Sequence, residues 1–206
     1  GVVYDYLKDP KEITVFDGTN GRFVFLDPNR HLCTELSTEM LESKMMGLKD
    51  WAAGQPDGFL KFLADPKFEM ELDENTGERV FESPWMTYRV AAVRAGNPEI
   101  ASQYAKFSDW YGRLNTWTNR GSRPPFARMI VNAELDREQL FPEKVHLTLR
   151  PKANGMLAKQ ITLRSEHKLV RQLVESDHRR VAQTDQYMAI FKPVAFREYQ
   201  ESMRQK

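Results

Sequence analysis

The chain has 206 residues, of which 41% are hydrophobic and 29% are charged. This length and apolar content are enough to fold around a core, which argues against disorder. Its 30 basic and 29 acidic residues leave a net charge of +1, and this balance argues against nucleic acid as the partner, because phosphate binding needs a basic excess. No run approaches the ~18 apolar residues of a membrane span. The single cysteine, Cys33, excludes an internal disulfide.

The first third of the chain is typical of a β-meander. Short stretches rich in aromatic and β-branched residues alternate with turn residues, as in consecutive antiparallel strands. The predicted strands are residues 2–7, 13–17, 22–26 and 30–36, and the predicted turns are Asp9-Pro10, 18–21 and 27–29. Cys33 falls in the last of these strands, where a buried and unreactive thiol is expected.

A helix is predicted to follow the meander. Ser37 or Thr38 supplies a hydroxyl cap, and Glu39 lies in the first turn, where the helix dipole favours an acid. Apolar residues then recur at helical spacing as far as Ala52, and Gly54 ends the pattern. Residues 59–63 are predicted to form one more short helical turn.

A second group of strands is predicted at residues 67–72, 78–82 and 85–93. Asn97 and Pro98 then form a strong helix start, with Asn as the cap and Pro at the first helical position. The helix that follows carries one apolar stripe, made of Ile100, Tyr104, Phe107, Tyr111 and Leu114.

The last third of the chain begins with a predicted linker at residues 121–125. The apolar residues between 126 and 140 slightly favour a helix. Strands are predicted at 144–150, 159–164 and 169–175, with a helix over 169–181 as the alternative to the third. The predicted end of the chain is a strand at 187–191 and a polar tail over 197–206.

No group of residues in the sequence matches a catalytic or metal-binding motif. The histidines, His31, His146, His167 and His178, lack the paired spacing of a zinc site. The stretch 17–21 is glycine-rich but lies between two strands, so a hairpin turn is favoured over a phosphate loop. The acidic stretch 69–74 lacks the spacing of a calcium loop. We therefore expect no catalytic residue, no metal site and no cofactor.

The basic residues Arg120, Arg123 and Arg128 form the nearest approach to a positive stripe. Pro124 and Pro125 interrupt it, and the favoured interpretation is a solvated loop.

Aromatic and methionine residues are the more informative feature. Aromatic residues make up 11% of the chain, and it contains 9 methionines, three of which (Met40, Met45 and Met46) fall in the first predicted helix. Flexible methionines suit surfaces that accept varied apolar ligands, although they also fill irregular cores.

The order of motifs in the first 36 residues resembles the LolA/LolB-like and RseB-like superfamily of bacterial envelope proteins. Tyr4-x-Tyr6 is followed by Pro10, by Val15-Phe16-Asp17-Gly18, by an aromatic strand and by Asp27-Pro28. Residues 161–163, 169–174 and Asp177 resemble that family's late strands, although His178 stands where a glycine is expected. An arginine that precedes the aromatic pair in the lipoprotein carriers has no counterpart here.

The resemblance implies an α+β fold in which an antiparallel sheet curls into an open half-barrel, with helices packed on its concave side. It implies one domain over 1–206, with an insertion or elaborated region at 67–141, and a chain whose natural start lies before residue 1. The implied function is non-enzymatic binding of a lipid, an acyl chain or another apolar small molecule, in the periplasm or outside the cell. The expected cavity-lining residues are Tyr4, Tyr6, Phe23, Phe25, Met40, Met45 and Trp85.

Two alternatives remain open. The first is a protein-interaction or sensor module with a filled core. Its contact patch for another envelope protein would be Trp110, Tyr111 and Trp117, because Trp and Tyr dominate interface energetics. The second is a hydrolase that uses His146 or His178 with an acidic partner, which requires the two groups to lie within hydrogen-bond distance in a cleft.

Overall fold

The structure is a computed structural model that describes residues 1–8, 11–119, 121–150, 152–153, 156–157 and 160–204. The predicted turn at Asp9-Pro10 lies outside these residues, as do Arg120, residue 159 and the last two residues of the predicted tail. The strands are β1 (Val2–Leu7), β2 (Glu12–Asp17), β3 (Arg22–Asp27), β4 (Leu32–Ser37), β5 (Glu69–Leu72), β6 (Arg79–Glu82), β7 (Met86–Arg94), β8 (Leu140–Leu149), β9 (Lys152–Ala153), β10 (Met156–Leu157), β11 (Ile161–Glu166) and β12 (Lys192–Pro193). The helices are α1 (Thr38–Ala53), α2 (Gly58–Ala64), α3 (Pro98–Thr118), α4 (Phe126–Arg137), α5 (Glu175–Ile190) and α6 (Phe196–Arg204).

The chain divides into two compact units. The first unit contains Gly1–Glu42 and Val170–Lys206, and the second is the continuous segment Ser43–Leu169 between them. The single domain over 1–206 and the insertion at 67–141 stay predictions. The continuous unit contains residues 67–141 but has different bounds.

The first unit is built on a sheet with the strand order β1-β2-β3-β4-β12. Its first four strands are antiparallel, and β12 joins β4 in parallel. The predicted β-meander is therefore confirmed. The carboxylate of Asp27, completely buried, accepts hydrogen bonds from the backbone N–H of Asn29 and of Arg30, which fixes the predicted turn between β3 and β4.

Helices lie against both faces of this first sheet. On one face, Phe191 at the end of α5 packs with Ile13, Val15, Val24 and Leu26. On the other face, the ring of Phe25 contacts those of Phe196 and Tyr199 in α6, with ring centroids 5.6 and 6.2 Å apart. Both apolar faces of the strands are thus covered.

The end of the chain corrects three sequence predictions. Residues 169–174 form no strand, and α5 begins at Glu175. The predicted strand at 187–191 is the last turn of α5 and its cap residue Phe191, whose ring stacks on that of Tyr187 at 4.5 Å. The predicted polar tail is helix α6, in which only Tyr199 is fully buried, so the sequence carries little apolar signal there.

The second unit has an antiparallel sheet with the strand order β11-β8-β7-β6-β5. Alternate residues of β7, namely Met86, Tyr88 and Val90, face a core shared with Ala127, Val131 and Leu135 of α4. The predicted helix start is confirmed, since Asn97 accepts a hydrogen bond from the backbone N–H of Glu99. The helix favoured within 126–140 is α4.

The fold class is α+β, with two mostly antiparallel sheets and six helices in the described residues. No sheet closes into a barrel there, because each ends in two edge strands. Within the same residues, no helix has both the length and the apolar content to cross a membrane.

Candidate functional site

The two tyrosines of the predicted apolar site are engaged by helix α5. The hydroxyl of Tyr4 donates to Asp185 at 3.0 Å, and that of Tyr6 lies 3.0 Å from the hydroxyl of Thr184. The guanidinium of Arg180 lies 4.6 Å from the centre of the Tyr6 ring. These contacts tie α5 to the first hairpin. Burial, followed by the bond to Asp185, raises the pKa of Tyr4 to about 12.

The other predicted residues do not gather around those tyrosines. Phe23 and Phe25 are buried on the opposite face of the sheet, because the register pairs Phe23 with Phe16 while it pairs Tyr4 with Val15. In α1, Met45 is buried and Met40 is 40% exposed. Trp85 belongs to the second unit, where its ring lies 5.8 Å from that of Phe59.

The aromatic patch of the interaction hypothesis also lies in the second unit. The guanidinium of Arg113 lies 4.5 Å from the centre of the Trp110 ring, and Tyr111 contacts Phe107 at 5.4 Å. Trp117 is 42% exposed and has the ammonium group of Lys44 over its ring. Each aromatic side chain is thus partly covered by its own unit.

The histidines proposed for hydrolysis have no acidic partner in hydrogen-bond contact among the described residues. Across the described residues, neither His146 nor His178 forms a hydrogen bond or an ion pair with a carboxylate. His167 lies 3.1 Å from the hydroxyl of Ser165, and burial lowers the pKa of its ring. The thiol of Cys33 is half-buried, which raises its pKa. No group of three or more metal-ligating side chains occurs in the same residues.

A pocket of about 260 Å³ opens in the second unit between α3, the loop at 121–125, the first turn of α4 and the sheet. Its floor is apolar and consists of Leu63, Met86, Ala127 and Leu147, together with the ring of Tyr88. Its rim carries Asn115 and Thr116 of α3 and the arginines 123 and 128. The pocket thus combines an apolar floor with a polar and basic opening, as small-molecule sites do.

Close packing between α3 and the loop shapes one wall of the pocket. Gly112 faces Pro125, and a Cβ atom at Gly112 would lie only 3.1 Å from the Cβ of that proline. One helical turn further on, the hydroxyl of Thr116 lies 2.8 Å from the backbone carbonyl of Arg123. Glycine at 112 and a hydroxyl at 116 therefore hold the loop against the helix.

Tyr88 contributes a hydroxyl to the lining of the pocket. Its side chain comes from the central strand β7, and the residue is only 6% exposed. Its hydroxyl forms no hydrogen bond with any other residue of the described chain. Burial raises the pKa of Tyr88, and the positive charges of Arg128 and Arg123 oppose that rise.

Arg128 is held by a hydrogen-bonded network between α3 and α4. Its Nε donates to the side-chain oxygen of Asn132 at 2.9 Å, and a terminal nitrogen lies 3.4 Å from the hydroxyl of Tyr104. The amide nitrogen of Asn132 donates in turn to Asp109 at 2.7 Å and to Ser108 at 3.1 Å. Burial raises the pKa of Asp109, although the bond from Asn132 opposes that rise.

The sequence did not indicate this pocket. The sequence favours a solvated loop for Arg123 and Arg128, whereas both are half-buried and Arg128 lies on α4. The helical spacing of Phe126, Met129, Ile130 and Ala133 was the available signal, since it places Arg128 within a helix. Tyr88 carried no signal of its own, because a tyrosine in a strand is ordinarily a core residue.

No protein-family model, curated protein or solved structure matches the chain in the three comparisons. The resemblance to the LolA/LolB-like and RseB-like superfamily therefore stays a prediction from sequence motifs.

Proposed function

We propose that the protein is a non-enzymatic binding protein that holds a small, largely apolar molecule in the pocket of its second unit. The observation that carries the proposal is an apolar pocket whose lining includes the hydroxyl of Tyr88, which has no hydrogen-bond partner in the described chain. A ligand that pairs with this hydroxyl gains a hydrogen bond worth ~1 kcal/mol.

The size of the pocket limits the ligand. At roughly 30 Å³ for each water-sized group, a volume of about 260 Å³ holds about nine non-hydrogen atoms. Each methylene group taken from water contributes about 0.8 kcal/mol. A chain of medium length therefore fits, and a full lipid would have to leave most of its length outside.

The envelope location and the half-barrel rest on the resemblance alone. A carrier of apolar molecules agrees with the resemblance to envelope proteins, and a periplasmic or secreted location is proposed on that ground. A half-barrel cavity with helices on its concave side would be a second place for a ligand. The pocket beside Tyr88 does not depend on it.

The test is calorimetric titration with octanol, a neutral ligand that matches the pocket in size. We expect saturable binding that is weakened about fivefold by Tyr88→Phe, because one neutral hydrogen bond is lost.

A second pair of variants tests the location. Asn115→Trp places a large ring at the rim of the pocket, and Gln103→Trp places the same ring on an exposed position of α3 away from it. Binding should be lost in the first variant and retained in the second. Absence of octanol binding to the parent protein, or equal binding by both tryptophan variants, would refute the proposal.

A further inference from the structure

We infer that the ligand of this pocket is an amphipathic carboxylic acid whose carboxylate is held by the N-terminus of α4 together with Arg123 and Arg128. The inference rests on the proposed function and adds the chemical class of the ligand's polar end. It follows from three sets of hydrogen-bond donors that line the same pocket.

The first set of donors is the start of α4, which no side chain caps. Pro125 occupies the cap position and has no side-chain acceptor, so it forms no capping hydrogen bond. The first N–H groups of a helix have no partner within the helix, and the helix dipole places about half a positive charge there. Ala127 and Arg128, which belong to this first turn, line the pocket. Such a helix end favours an anion.

The second set of donors consists of the two arginines. Across the described residues, no carboxylate lies within 4.0 Å of the guanidinium nitrogens of Arg123 or Arg128. The side-chain hydrogen bonds of Arg128 go only to neutral groups, the amide of Asn132 and the hydroxyl of Tyr104. Other arginines of the second unit differ, since Arg79, Arg89 and Arg150 each have a carboxylate partner. Two half-buried arginines at the pocket thus lack a direct carboxylate partner, and the acid whose charge interacts with Arg128, Asp109, is separated from it by Asn132.

The third donor is the hydroxyl of Tyr88, whose side chain is nine-tenths buried and which has no hydrogen-bond partner in the described chain. It is independent of the helix end and of the arginines, because it comes from strand β7. No aspartate or glutamate lines the pocket. A carboxylate only accepts hydrogen bonds, and it therefore matches an opening made of donors. An ammonium group would be repelled by the same opening.

The apolar floor determines the rest of the ligand. Leu63, Met86 and Leu147 offer no polar atom of their side chains to a ligand. The carboxylate must therefore carry an apolar tail that is short enough for about 260 Å³. Heptanoate meets both conditions and is the probe of choice.

The test compares four ligands of similar length on the whole chain: heptanoate, octanol, octylamine and heptyl phosphate. We expect heptanoate to bind about tenfold more tightly than octanol and octylamine to bind most weakly, since each charged hydrogen bond contributes more than a neutral one. The affinity for heptanoate should fall with added salt, whereas that for octanol should not.

Variants assign the effect to the two arginines. Arg123→Gln and Arg128→Gln should each weaken the binding of heptanoate about tenfold and leave the affinity for octanol unchanged. Arg113→Gln is the control, because Arg113 lies over Trp110 and does not line the pocket. Arg123 lies in the loop and has no side-chain hydrogen bond in the described structure, so its variant remains informative if Arg128→Gln unfolds.

Each outcome separates the two proposals. If octanol binds but heptanoate binds no more tightly, or if the arginine variants leave heptanoate unchanged, the carboxylate assignment is wrong and the binding function stands. If heptyl phosphate binds at least tenfold more tightly than heptanoate, the head group is a phosphate and the carboxylate assignment is overturned. If neither octanol nor heptanoate binds, the proposed function fails as well.

Discussion

The side-chain oxygen of Asn132 accepts a hydrogen bond from Nε of Arg128 at 2.9 Å, and Asn132 is almost completely buried. Because a guanidinium only donates and a carboxylate only accepts, the Asn132 amide has one orientation, with its oxygen toward Arg128 and its nitrogen toward Asp109. A neutral amide thus separates a cation at the pocket from a half-buried acid.

Replacing Asn132 should be costly, because two charged side chains lose their shared partner. We expect Asn132→Leu to lower the free energy of unfolding by about 3 kcal/mol, measured by urea denaturation. The control is Gln103→Leu, at an exposed position of α3, which should change stability by less than about 0.5 kcal/mol. Equal effects of the two substitutions would contradict the role assigned to Asn132.

Asp109 should make stability fall as pH rises. Its pKa in the folded protein is raised above the ordinary value of 3.8, chiefly by burial. The folded state therefore binds this proton more tightly than the unfolded state, and its stabilising effect is lost as pH rises through the folded pKa. Because Asp109→Asn removes this titration, the stability of the variant relative to the parent should increase over that window. Urea midpoints between about pH 4 and pH 7 measure the difference, and a flat difference would contradict the raised pKa.

Tyr4 should lose its proton only at unusually high pH. Burial and the hydrogen bond to Asp185 raise its pKa to about 12. Asp185→Asn should lower that pKa toward 10, measured by the ring resonances of labelled tyrosine, and Tyr4→Phe identifies the signal. The stabilising effect of the neutral Tyr4 hydroxyl is present below the ordinary pKa and is lost as pH rises through about 12. An unchanged Tyr4 titration in Asp185→Asn would show that the contact with α5 does not form in solution.

Local signals in the sequence predicted the first unit's strands well and its last helices poorly. Turn residues such as Asp27 and caps such as Asn97 act through bonds to their own neighbours, so sequence alone reveals them. The side chains of Tyr187 and Phe191 are different, because either a strand or a helix can bury so short an apolar run. Only the packing of Phe191 against the sheet decides between them.

The candidate site was beyond the reach of the sequence for a physical reason. Tyr88 and Arg128 are far apart in the chain, and they line one pocket only because α4 packs on the sheet beside β7. Opposite faces of the first sheet were equally hard to foresee. Because side chains alternate along a strand, Tyr4 and Tyr6 share one face of the sheet, and Phe23 and Phe25 also share one face. Whether these are the same face depends on the register of the hairpins between the strands.

Two helical glycines should respond oppositely to the same substitution. Gly47 in α1 is exposed and has no atom near its missing Cβ, so Gly47→Ala should raise the free energy of unfolding by about 1 kcal/mol. Gly112→Ala gains the same helix propensity. Its Cβ, however, would lie 3.1 Å from Pro125, which must then move together with the loop that closes the pocket. We expect the overpacking cost of about 1–3 kcal/mol to cancel or exceed the gain, and octanol binding to weaken. If Gly112→Ala stabilises the chain as much as Gly47→Ala and leaves octanol affinity unchanged, the contact between Gly112 and Pro125 does not shape the pocket.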